Sequence, residues 1–308
     1  MVDPRELERH RGRIWGLCYR MTGVAADADE LVQETFMRAL ETPPSDLARD
    51  LLPWLIRVAT NASRDLLRRR KTQAYVGDWL PAPVEDERLL AEPSDALTPD
   101  ARYGQAESVS YAFMVALEAL TPTQRAVVIL RDVLGYSVSE SALVLGMSEA
   151  NVKTSHHRAR SALAGYDQRV QRAPVPLERA REAMMRFMGL VMAGDLAEME
   201  RLLAKDVVAV GDSAGEFLAQ RRPVLGANAV ARFFLGVSRK SEIASVELRT
   251  CNGLPALVLH TKNRLARAAE RSVTMFEVAD NGEILRVYSV LATRKLAHFV
   301  DQGPRAAG

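Results

Sequence analysis

Residues 120–163 read LTPTQRAVVILRDVLGYSVSESALVLGMSEANVKTSHHRARSAL, and the start and stop signals in this stretch predict consecutive helices. Thr121, Pro122 and Gln124 have the spacing of a capping box with proline in the first helical turn. The first helix is therefore expected to run from this box to about Leu134.

A second and a third helix follow within the same stretch. The second is expected from about Ser137 to Gly146, because glycine tolerates the positive φ of a tight turn. Ser148 then caps the third helix, with Asn151 three residues later. This order predicts a helix-turn-helix DNA reader, whose last helix enters the major groove. The residues in reach of base edges are Ser148, Asn151, Lys153, Thr154 and His157, and those in reach of phosphates are Arg158 and Arg160. The alternative is a helical hairpin with a basic outer face.

A second basic segment, PWLIRVATNASRDLLRRRK at residues 53–71, predicts an amphipathic helix. Its apolar side consists of Leu55, Val58, Ala59, Ala62 and Leu66. A polar stripe on another side is formed by Arg57, Asn61, Arg64 and Arg68, and it continues into Arg69, Arg70 and Lys71. Asp65 is the one acid among these cations, so the local field favours phosphate. The alternative is a cationic helix end that complements the helix dipole.

Upstream, DADELVQETFMRAL at residues 27–40 predicts a helix with an acidic outer face. The buried side is expected to hold Ala28, Leu31, Val32, Thr35, Phe36, Ala39 and Leu40, and the outer side Asp29, Glu30, Gln33, Glu34 and Arg38. An acidic face repels DNA, so its function would be docking of a protein. The alternative is plain solubility.

The three segments, in this order, resemble a bacterial RNA polymerase sigma factor of the extracytoplasmic-function type. The resemblance implies that the acidic helix (Asp29, Glu30, Gln33, Glu34, Arg38) docks on core RNA polymerase. It implies that Arg57, Asn61, Arg64, Asp65, Arg68, Arg69 and Arg70 open and read the minus-10 element of promoter DNA. An unstacked base would be captured near Asn61 and Asp65. The helix-turn-helix would read the minus-35 element.

One position departs from the family pattern. His156 stands where relatives usually carry leucine, four residues after Val152 on the packing face of the third helix. A histidine on such a face is more often a hydrogen-bonded core residue than a ligand. His156 is therefore interpreted as structural, and His157 as the histidine that faces DNA.

Composition narrows the functional classes. The net charge of +2 over 308 residues is too small for general coating of nucleic acid, so binding depends on local basic faces. Cys18 and Cys251 are too few for a disulfide scaffold or a Cys-ligated zinc site. No apolar run is long enough for a membrane span, and we expect a cytoplasmic protein without membrane attachment, cofactor or metal.

Two further segments complete the predicted organisation. Residues 73–107 are rich in acids and prolines and are predicted to be a linker rather than part of a core. Its YVGDWLPAPVEDE start resembles the Trp-Leu-Pro linker of sigma factors that carry an extra C-terminal domain. An acidic strand there would occupy the polymerase channel for nucleic acid, or the segment is a tether whose Trp79 packs against a neighbour.

After residue 176 a new pattern predicts helices followed by antiparallel strands. A strand is expected from about Val207, and Asn252-Gly253 and Asn281-Gly282 mark strand turns. This order resembles the SnoaL-like members of the nuclear transport factor 2 superfamily, an α+β cone. RRPVLGANAVARFF at 221–234 and RVYSVLATRKLAHF at 286–299 resemble SigJ-type sigma factors with this appended domain.

The expected fold is thus multidomain, with two all-α sigma modules, the second a helix-turn-helix, followed by an α+β cone. The predicted bounds are 1–72 for the first module, 73–107 for the linker, 108–172 for the second module and 176–300 for the SnoaL-like domain. The resemblance implies that the last domain regulates promoter binding. Its usual Asp-Gly-Gly-Gly-Lys loop reads Asp212, Ser213, Ala214, Gly215, Glu216 here, which reverses the charge at its end.

Two other functions stay open at this point. One is a DNA-binding repressor that does not contact polymerase. The other is an isomerase- or cyclase-like enzyme that uses a carboxylate base and a hydrogen-bond donor for an oxyanion, with an unknown small molecule as ligand. The candidate residues for these two roles are Asp212, His260 and Tyr288. Nothing in their spacing requires catalysis, so no catalytic residue is assigned and the protein is not expected to be an enzyme.

Overall fold

The computed structural model describes residues 2–43, 50–72, 75–90, 104–170, 175–262 and 267–299. The chain divides into two compact units. Unit 1 consists of Met1–Ala74, Glu85–Arg179 and Thr250–Leu254, and unit 2 of Tyr75–Val84, Ala180–Arg249 and Pro255–Gly308. These units do not follow the predicted boundaries at two places. Residues 75–84 of the expected linker belong to unit 2, and residues 250–254 belong to unit 1.

Unit 1 begins with four helices, α1 Pro4–Arg9, α2 Arg11–Thr22, α3 Ala25–Glu41 and α4 Leu52–Thr72. Helix α2 is buried over most of its length, because α3 and α4 both pack against it. Gly23 ends α2 in the left-handed conformation and allows the chain to turn directly into α3. Ile14, Leu31 and Leu55 are among the core side chains that the three helices contribute.

The helix-turn-helix is confirmed in its caps and its turn. Short helices α5 Asp86–Leu90, α6 Gln105–Ser108 and α7 Tyr111–Leu117 precede α8 Pro122–Val128, α9 Val138–Leu145 and α10 Glu149–Val170. Thr121 and Ser137 each form a capping box, and Gly146 has a φ of 62°. Between α8 and α9 the helix continues as a π-helical turn, Ile129–Val133.

The prediction that residues 73–107 lie outside any core is wrong for part of the segment. Leu80, Ala82 and Val84 are buried in unit 2, and Leu89 is buried in unit 1. Residues 91–103 lie outside the described part of the chain. The content of proline and acidic residues predicted an exposed segment. The apolar side chains that stand between and beside the prolines are buried nonetheless.

Unit 2 has the expected order of helices followed by strands. Its elements are α11 Leu177–Ala193, α12 Leu196–Leu202, β1 Leu203–Asp212, β2 Val224–Leu225, α13 Ala227–Ser238, β3 Glu242–Cys251, β4 Leu254–Lys262, β5 Arg271–Val278 and β6 Ile284–Val290. A 3-10 turn, Thr293–Leu296, follows the last strand. Strand β1 starts four residues earlier than the predicted Val207.

The strands form one mixed sheet in the order β2-β1-β6-β5-β4-β3. The β4/β5 and β5/β6 pairs are antiparallel as expected, whereas β1 pairs with β6 in parallel. Asn252 and Gly253 both have positive φ, 51° and 78°, which is the geometry that an Asn-Gly hairpin turn requires. No helix among the described residues is long and apolar enough to cross a membrane.

Candidate polymerase and nucleic-acid interfaces

Helix α3 presents an open polar face. Glu30, Gln33 and Arg38 are exposed, and Ala28, Val32 and Ala39 are buried as predicted. Leu40 was expected on the buried side, but 46% of it is exposed, beside Met37 at 52%. The prediction for Leu40 is wrong: helical periodicity places it on the buried side, but the packing that buries Ala39 does not extend over Leu40.

An open groove follows this face of α3 and is lined by Glu30, Gln33, Glu34, Met37, Arg38 and Glu41. We call these six residues the docking groove. Glu34 and Arg38 form an exposed i,i+4 ion pair of 2.5 Å, which stabilises the helix only slightly. The groove thus combines acids with one long apolar side chain, Met37.

Asp29, a predicted docking residue, is occupied inside unit 1. Its Oδ1 accepts hydrogen bonds from Trp15 Nε1 at 2.7 Å and from Arg88 Nη2 at 2.8 Å. The Arg88 guanidinium also lies over the Trp15 ring, 4.6 Å from its centroid. Asp29 therefore joins α2, α3 and α5, and it is half-buried whereas Glu30 is exposed.

Helix α4 carries the predicted polar stripe, but only parts of it are open. Arg57, Asp65, Arg68 and Arg69 are exposed, and Asn61, Arg64 and Arg70 are half-buried. Arg68 Nη1 lies 3.1 Å from Asp65 Oδ1. Of the predicted apolar side, Leu55, Ala59 and Ala62 are buried, whereas Val58 and Leu66 are half-buried.

Arg64 is covered by the helix-turn-helix. Its Nη1 donates to the carbonyl of Leu145 at the end of α9 and to Asn61 Oδ1, both at 3.3 Å, and its Nη2 donates to Thr123 Oγ1 at 3.4 Å. Burial lowers the pKa of Arg64, and the nearby Arg68 lowers it further. In this conformation the middle of the polar stripe is partly covered by protein.

Two other arginines hold helix ends together. Arg70 Nη1 donates to the carbonyl of Thr22 at 2.9 Å, and its Nη2 pairs with the buried Asp27. Arg125 of α8 is buried and donates from Nη1 to the carbonyl of Met21 at 2.8 Å. Both arginines thus satisfy carbonyls in the last turn of α2, where the helix dipole favours cations.

Burial lowers the pKa of Arg125, although the Glu118 carboxylate opposes that effect. Arg125 also donates to the carbonyl of Leu117 from Nε at 3.1 Å and from Nη2 at 2.7 Å. The contact with Met21 joins the second predicted module to the first. Arg20 adds another such contact, since its Nη2 donates to Ser108 Oγ at 3.1 Å.

Helix α10 exposes most of its predicted DNA-facing residues. Ser148 Oγ caps the helix by accepting from Asn151 N at 3.3 Å. The exposed members of the set are Ser148, Asn151, Lys153, Thr154, His157 and Arg158. Arg160 points the other way, because its guanidinium pairs with Asp132 and Asp167 and only 16% of its side chain is exposed.

The interpretation of His156 as a hydrogen-bonded packing residue agrees with its environment. Its Nε2 lies 2.7 Å from Asp132 Oδ1, in the π-helical turn. His156 and Arg160 thus face the body of the helix-turn-helix together, while His157 faces solvent.

Asn252 is a polar anchor of unit 1 that the sequence analysis treated only as a turn residue. It is 1% exposed, and its Nδ2 donates to Tyr19 Oη at 3.0 Å and to the carbonyl of Val109 at 2.7 Å. Its own carbonyl accepts from Tyr111 N at 3.0 Å. The Asn-Gly turn signal was visible in the sequence, but nothing local indicated partners more than 100 residues away.

In unit 2, Asp212 is fully engaged. Its carboxylate accepts from Lys295 Nζ and Tyr75 Oη, both at 2.5 Å, from Leu80 N at 2.7 Å and from Ala214 N at 3.0 Å. Lys295 Nζ lies 3.9 Å from the centroid of the Trp79 ring. This buried ion pair holds residues 75–84 in unit 2.

The other two candidate catalytic groups have separate partners. Tyr288 Oη donates to Glu277 Oε2 at 2.9 Å, and His260 Nε2 lies 3.9 Å from Glu247 Oε1. These two carboxylates, Glu277 and Glu247, are distinct from Asp212. Among the described residues, no group of three or more His, Cys, Asp and Glu side chains is arranged to hold a metal ion.

Comparison with known proteins gives a consistent result. Residues 7–73 match the family described as Sigma-70 region 2, and residues 110–163 match Sigma-70, region 4. The chain is 35% identical over 241 residues to the ECF RNA polymerase sigma factor SigJ of Mycobacterium tuberculosis, covering 78% of this chain and 74% of that protein. It is 26% identical over 269 residues to the probable ECF RNA polymerase sigma factor SigI of the same species, covering 86% of each.

Similarity extends to the solved structure of one relative. The crystal structure of the Mycobacterium tuberculosis extracytoplasmic function sigma factor SigJ superposes with a TM-score of 0.71 at 29% identity. The match covers 96% of this chain and 98% of that chain, so it includes the α+β domain as well as the helices.

Proposed function

The chain belongs to the extracytoplasmic-function sigma factors of RNA polymerase. We propose that three separate polar surfaces of unit 1 bind core polymerase, the minus-10 element and the minus-35 element. As a sigma factor it binds core RNA polymerase and directs promoter-specific transcription initiation. This assignment of separate functions to separate surfaces is supported by one observation: the three surfaces lie on different helices, α3, α4 and α10.

The docking groove on α3 is the proposed site for core polymerase. Glu30, Gln33, Glu34 and Arg38 supply charge and hydrogen bonds, and Met37 supplies an adaptable apolar contact at the centre. Asp29 has a different role in this proposal. Because Trp15 and Arg88 occupy it, Asp29 orients α3 instead of touching polymerase first.

Helix α4 is the proposed minus-10 reader. Arg57, Arg68 and Arg69 are exposed and would contact phosphates, while Asn61 and Asp65 would flank an unstacked base. Arg64 joins this surface only after it leaves Leu145, and Arg70 chiefly supports the helix through Thr22 and Asp27.

Helix α10 is the proposed minus-35 reader. Ser148, Asn151, Lys153, Thr154 and His157 lie along its first turns and would meet base edges in the major groove. Arg158 would contact phosphate. Arg160 is assigned a supporting role because it is paired with two carboxylates.

The compact form of unit 1 is proposed to be a resting state. DNA cannot use the whole α4 stripe while α9 covers Arg64, and the buried Arg125 ties α8 to the end of α2. Opening requires that these arginines exchange backbone carbonyls for DNA phosphates or for solvent. Binding of polymerase or promoter would supply the free energy for that exchange.

The C-terminal part of the chain is proposed to control this opening. Asn252 belongs to unit 1 and bonds residues from both sigma modules, Tyr19 and Val109. Any effector that withdraws Asn252 would loosen the resting state, and a small-molecule ligand of the SnoaL-like domain is one candidate effector.

Regulation is favoured over chemistry because the carboxylate of Asp212 already accepts four hydrogen bonds, which occupy the lone pairs that a general base would use.

Run-off transcription with the full chain, bacterial core polymerase and genomic promoter fragments tests the proposal. We expect transcripts that depend on both added protein and an intact minus-10 and minus-35 element. Matched templates with either element scrambled serve as controls. Transcripts that survive scrambling, or the absence of any binding to core polymerase, would contradict the proposal.

A further inference from the structure

The helix-turn-helix contains a buried carboxylate that DNA contact does not require. Asp132 lies in the π-helical turn Ile129–Val133 and is 6% exposed. A buried carboxylate is costly unless cations and donors compensate it. A π-helical turn is also rare and frequently marks a functional position.

Both partners of Asp132 come from α10. His156 Nε2 lies 2.7 Å from Oδ1, and Arg160 Nη1 lies 3.7 Å from Oδ2. The two residues are four apart, so they form one polar row along the helix. Arg160 continues the row to Asp167, with which its Nη2 pairs.

This polar row runs beside an apolar one. Val152, Ala159, Leu163 and Tyr166 are all buried and hold α10 against the rest of the module. Apolar packing alone tolerates small rotations of a helix, because it is not directional. Hydrogen bonds and ion pairs to one fixed carboxylate are directional and select a single rotation.

Rotation matters because the exposed residues beside this row are those proposed to meet bases. Lys153 and His157 directly flank His156 on the helix surface. A rotation of about 20° moves a side chain about 5 Å from the helix axis by roughly 2 Å. Base recognition needs positions held within about 0.5 Å.

We propose that Asp132 is a positioning residue for promoter recognition, which fixes the rotation of α10 through His156 and Arg160 and so sets the base preference at the minus-35 element. The inference rests on the proposed function of α10 as the minus-35 reader. It also gives Arg160 a role different from the phosphate contact that the sequence predicted.

The test compares base preference rather than total activity. A promoter is first selected by the wild-type chain and core polymerase from a library randomised over the minus-35 region. Transcription from that promoter is then divided by transcription from each of its single-base derivatives. A variant that merely folds less well loses activity on all templates equally, so this ratio does not change.

Asp132→Asn and His156→Leu are expected to lower the ratio at least threefold. His156→Gln is expected to keep it near the wild-type value, because the glutamine amide can place a donor where Nε2 lies. Leucine suits an apolar packing face, so His156→Leu serves as a folded second variant. Asp206→Asn, an exposed acid in unit 2, is the matched control and should leave the ratio unchanged.

Lys153→Ala separates the two levels of the proposal. If it shifts the base preference while Asp132→Asn and His156→Leu leave the ratio intact, the positioning role is wrong and the reading role of α10 stands. If none of these variants shifts the preference, the proposed reading role fails and the positioning role fails with it.

Discussion

Helices α3 and α4 pack side by side in unit 1, yet their outer faces are in opposite states. The α3 face is open, with Glu30, Gln33 and Met37 lining a groove. The α4 face is partly closed, because Leu145 and Thr123 cover Arg64. With the roles proposed for these two faces, the difference would leave the free chain ready for the polymerase and not yet ready for the minus-10 element.

The kind of bond that closes α4 explains how it can open. Arg64 binds the neutral carbonyl of Leu145. Arg125 binds the Met21 carbonyl but also pairs with the Glu118 carboxylate at 2.5 Å, so its neutral acceptor is not its only partner. A phosphate oxygen carries negative charge, so it attracts a guanidinium more strongly than a neutral carbonyl oxygen does. A promoter phosphate can therefore compete with the Leu145 carbonyl for the half-buried Arg64. If the partner of Arg64 were a buried carboxylate, this competition would be harder.

The largest effect is expected from reversing the charge of the open face. Glu30→Lys combined with Glu34→Lys should weaken binding to core polymerase by about 10- to 100-fold, since each lost contact costs about 1 kcal/mol and repulsion adds to it. Titration of labelled full chain with core polymerase measures the dissociation constant. Binding of the same variant to promoter DNA in the absence of polymerase should not fall.

The chain contains a matched control for that experiment. Glu178 and Glu182 are exposed, have the same i,i+4 spacing and lie on α11. Reversing both of them changes the net charge equally and should leave polymerase affinity within twofold. An equal loss in the control would mean that net charge, and not the docking groove, determines binding.

The sequence predicted local features well because their causes are local. The capping box at Thr121, the helix start near Ser137 and the turn at Gly146 depend on residues within four positions. The faces of α3 and α4 followed from helical periodicity for the same reason. The fold class followed from these local patterns, and the family from the resemblance of the three segments to sigma factors.

Coverage of those faces could not be predicted, because it depends on distant partners. Leu40 is apolar in a buried register, yet 46% of it is exposed. Arg64 is polar in an exposed register, yet α9 partly covers it. Arg160 shows the same limit, since the buried Asp132 in the π-helical turn Ile129–Val133 draws its guanidinium inward. Periodicity assigns residues to a side of a helix, and tertiary contacts decide what that side meets.

An intermediate effect is expected from loosening unit 1 at its C-terminal anchor. Asn252→Gly keeps the positive φ of the turn and removes the hydrogen bonds to Tyr19 and Val109. We expect the free energy of unfolding to fall by about 1–3 kcal/mol, because a buried carbonyl loses its donor. Affinity of the free chain for minus-10 DNA should rise a few-fold as α4 becomes accessible.

Asn281→Gly is the matched substitution in the other Asn-Gly turn, where the side chain is exposed and bonds only locally to Glu283. It should change stability by less than about 0.5 kcal/mol and leave DNA affinity unchanged. Denaturant unfolding and fluorescence anisotropy with a single-stranded minus-10 probe measure the two quantities. A stability loss without any gain in DNA affinity would show that Asn252 supports the fold and does not restrain α4.

The smallest effect distinguishes the open and the covered arginines of α4. Arg57→Ala and Arg68→Ala should each reduce the slope of log affinity against log salt by about 1 for the free chain, because each exposed arginine releases one counterion on binding phosphate. Arg64→Ala should leave that slope unchanged in the free chain, since Leu145 and Thr123 occupy its guanidinium. Once core polymerase is bound, Arg64→Ala should reduce the slope as well.

Arg186 is an exposed arginine on α11, and Arg186→Ala is the control that should have no effect on the slope in either state. Equal slopes for Arg57→Ala and Arg64→Ala in the free chain would mean that α9 does not shield α4 in solution, and the contrast between α3 and α4 would then be lost.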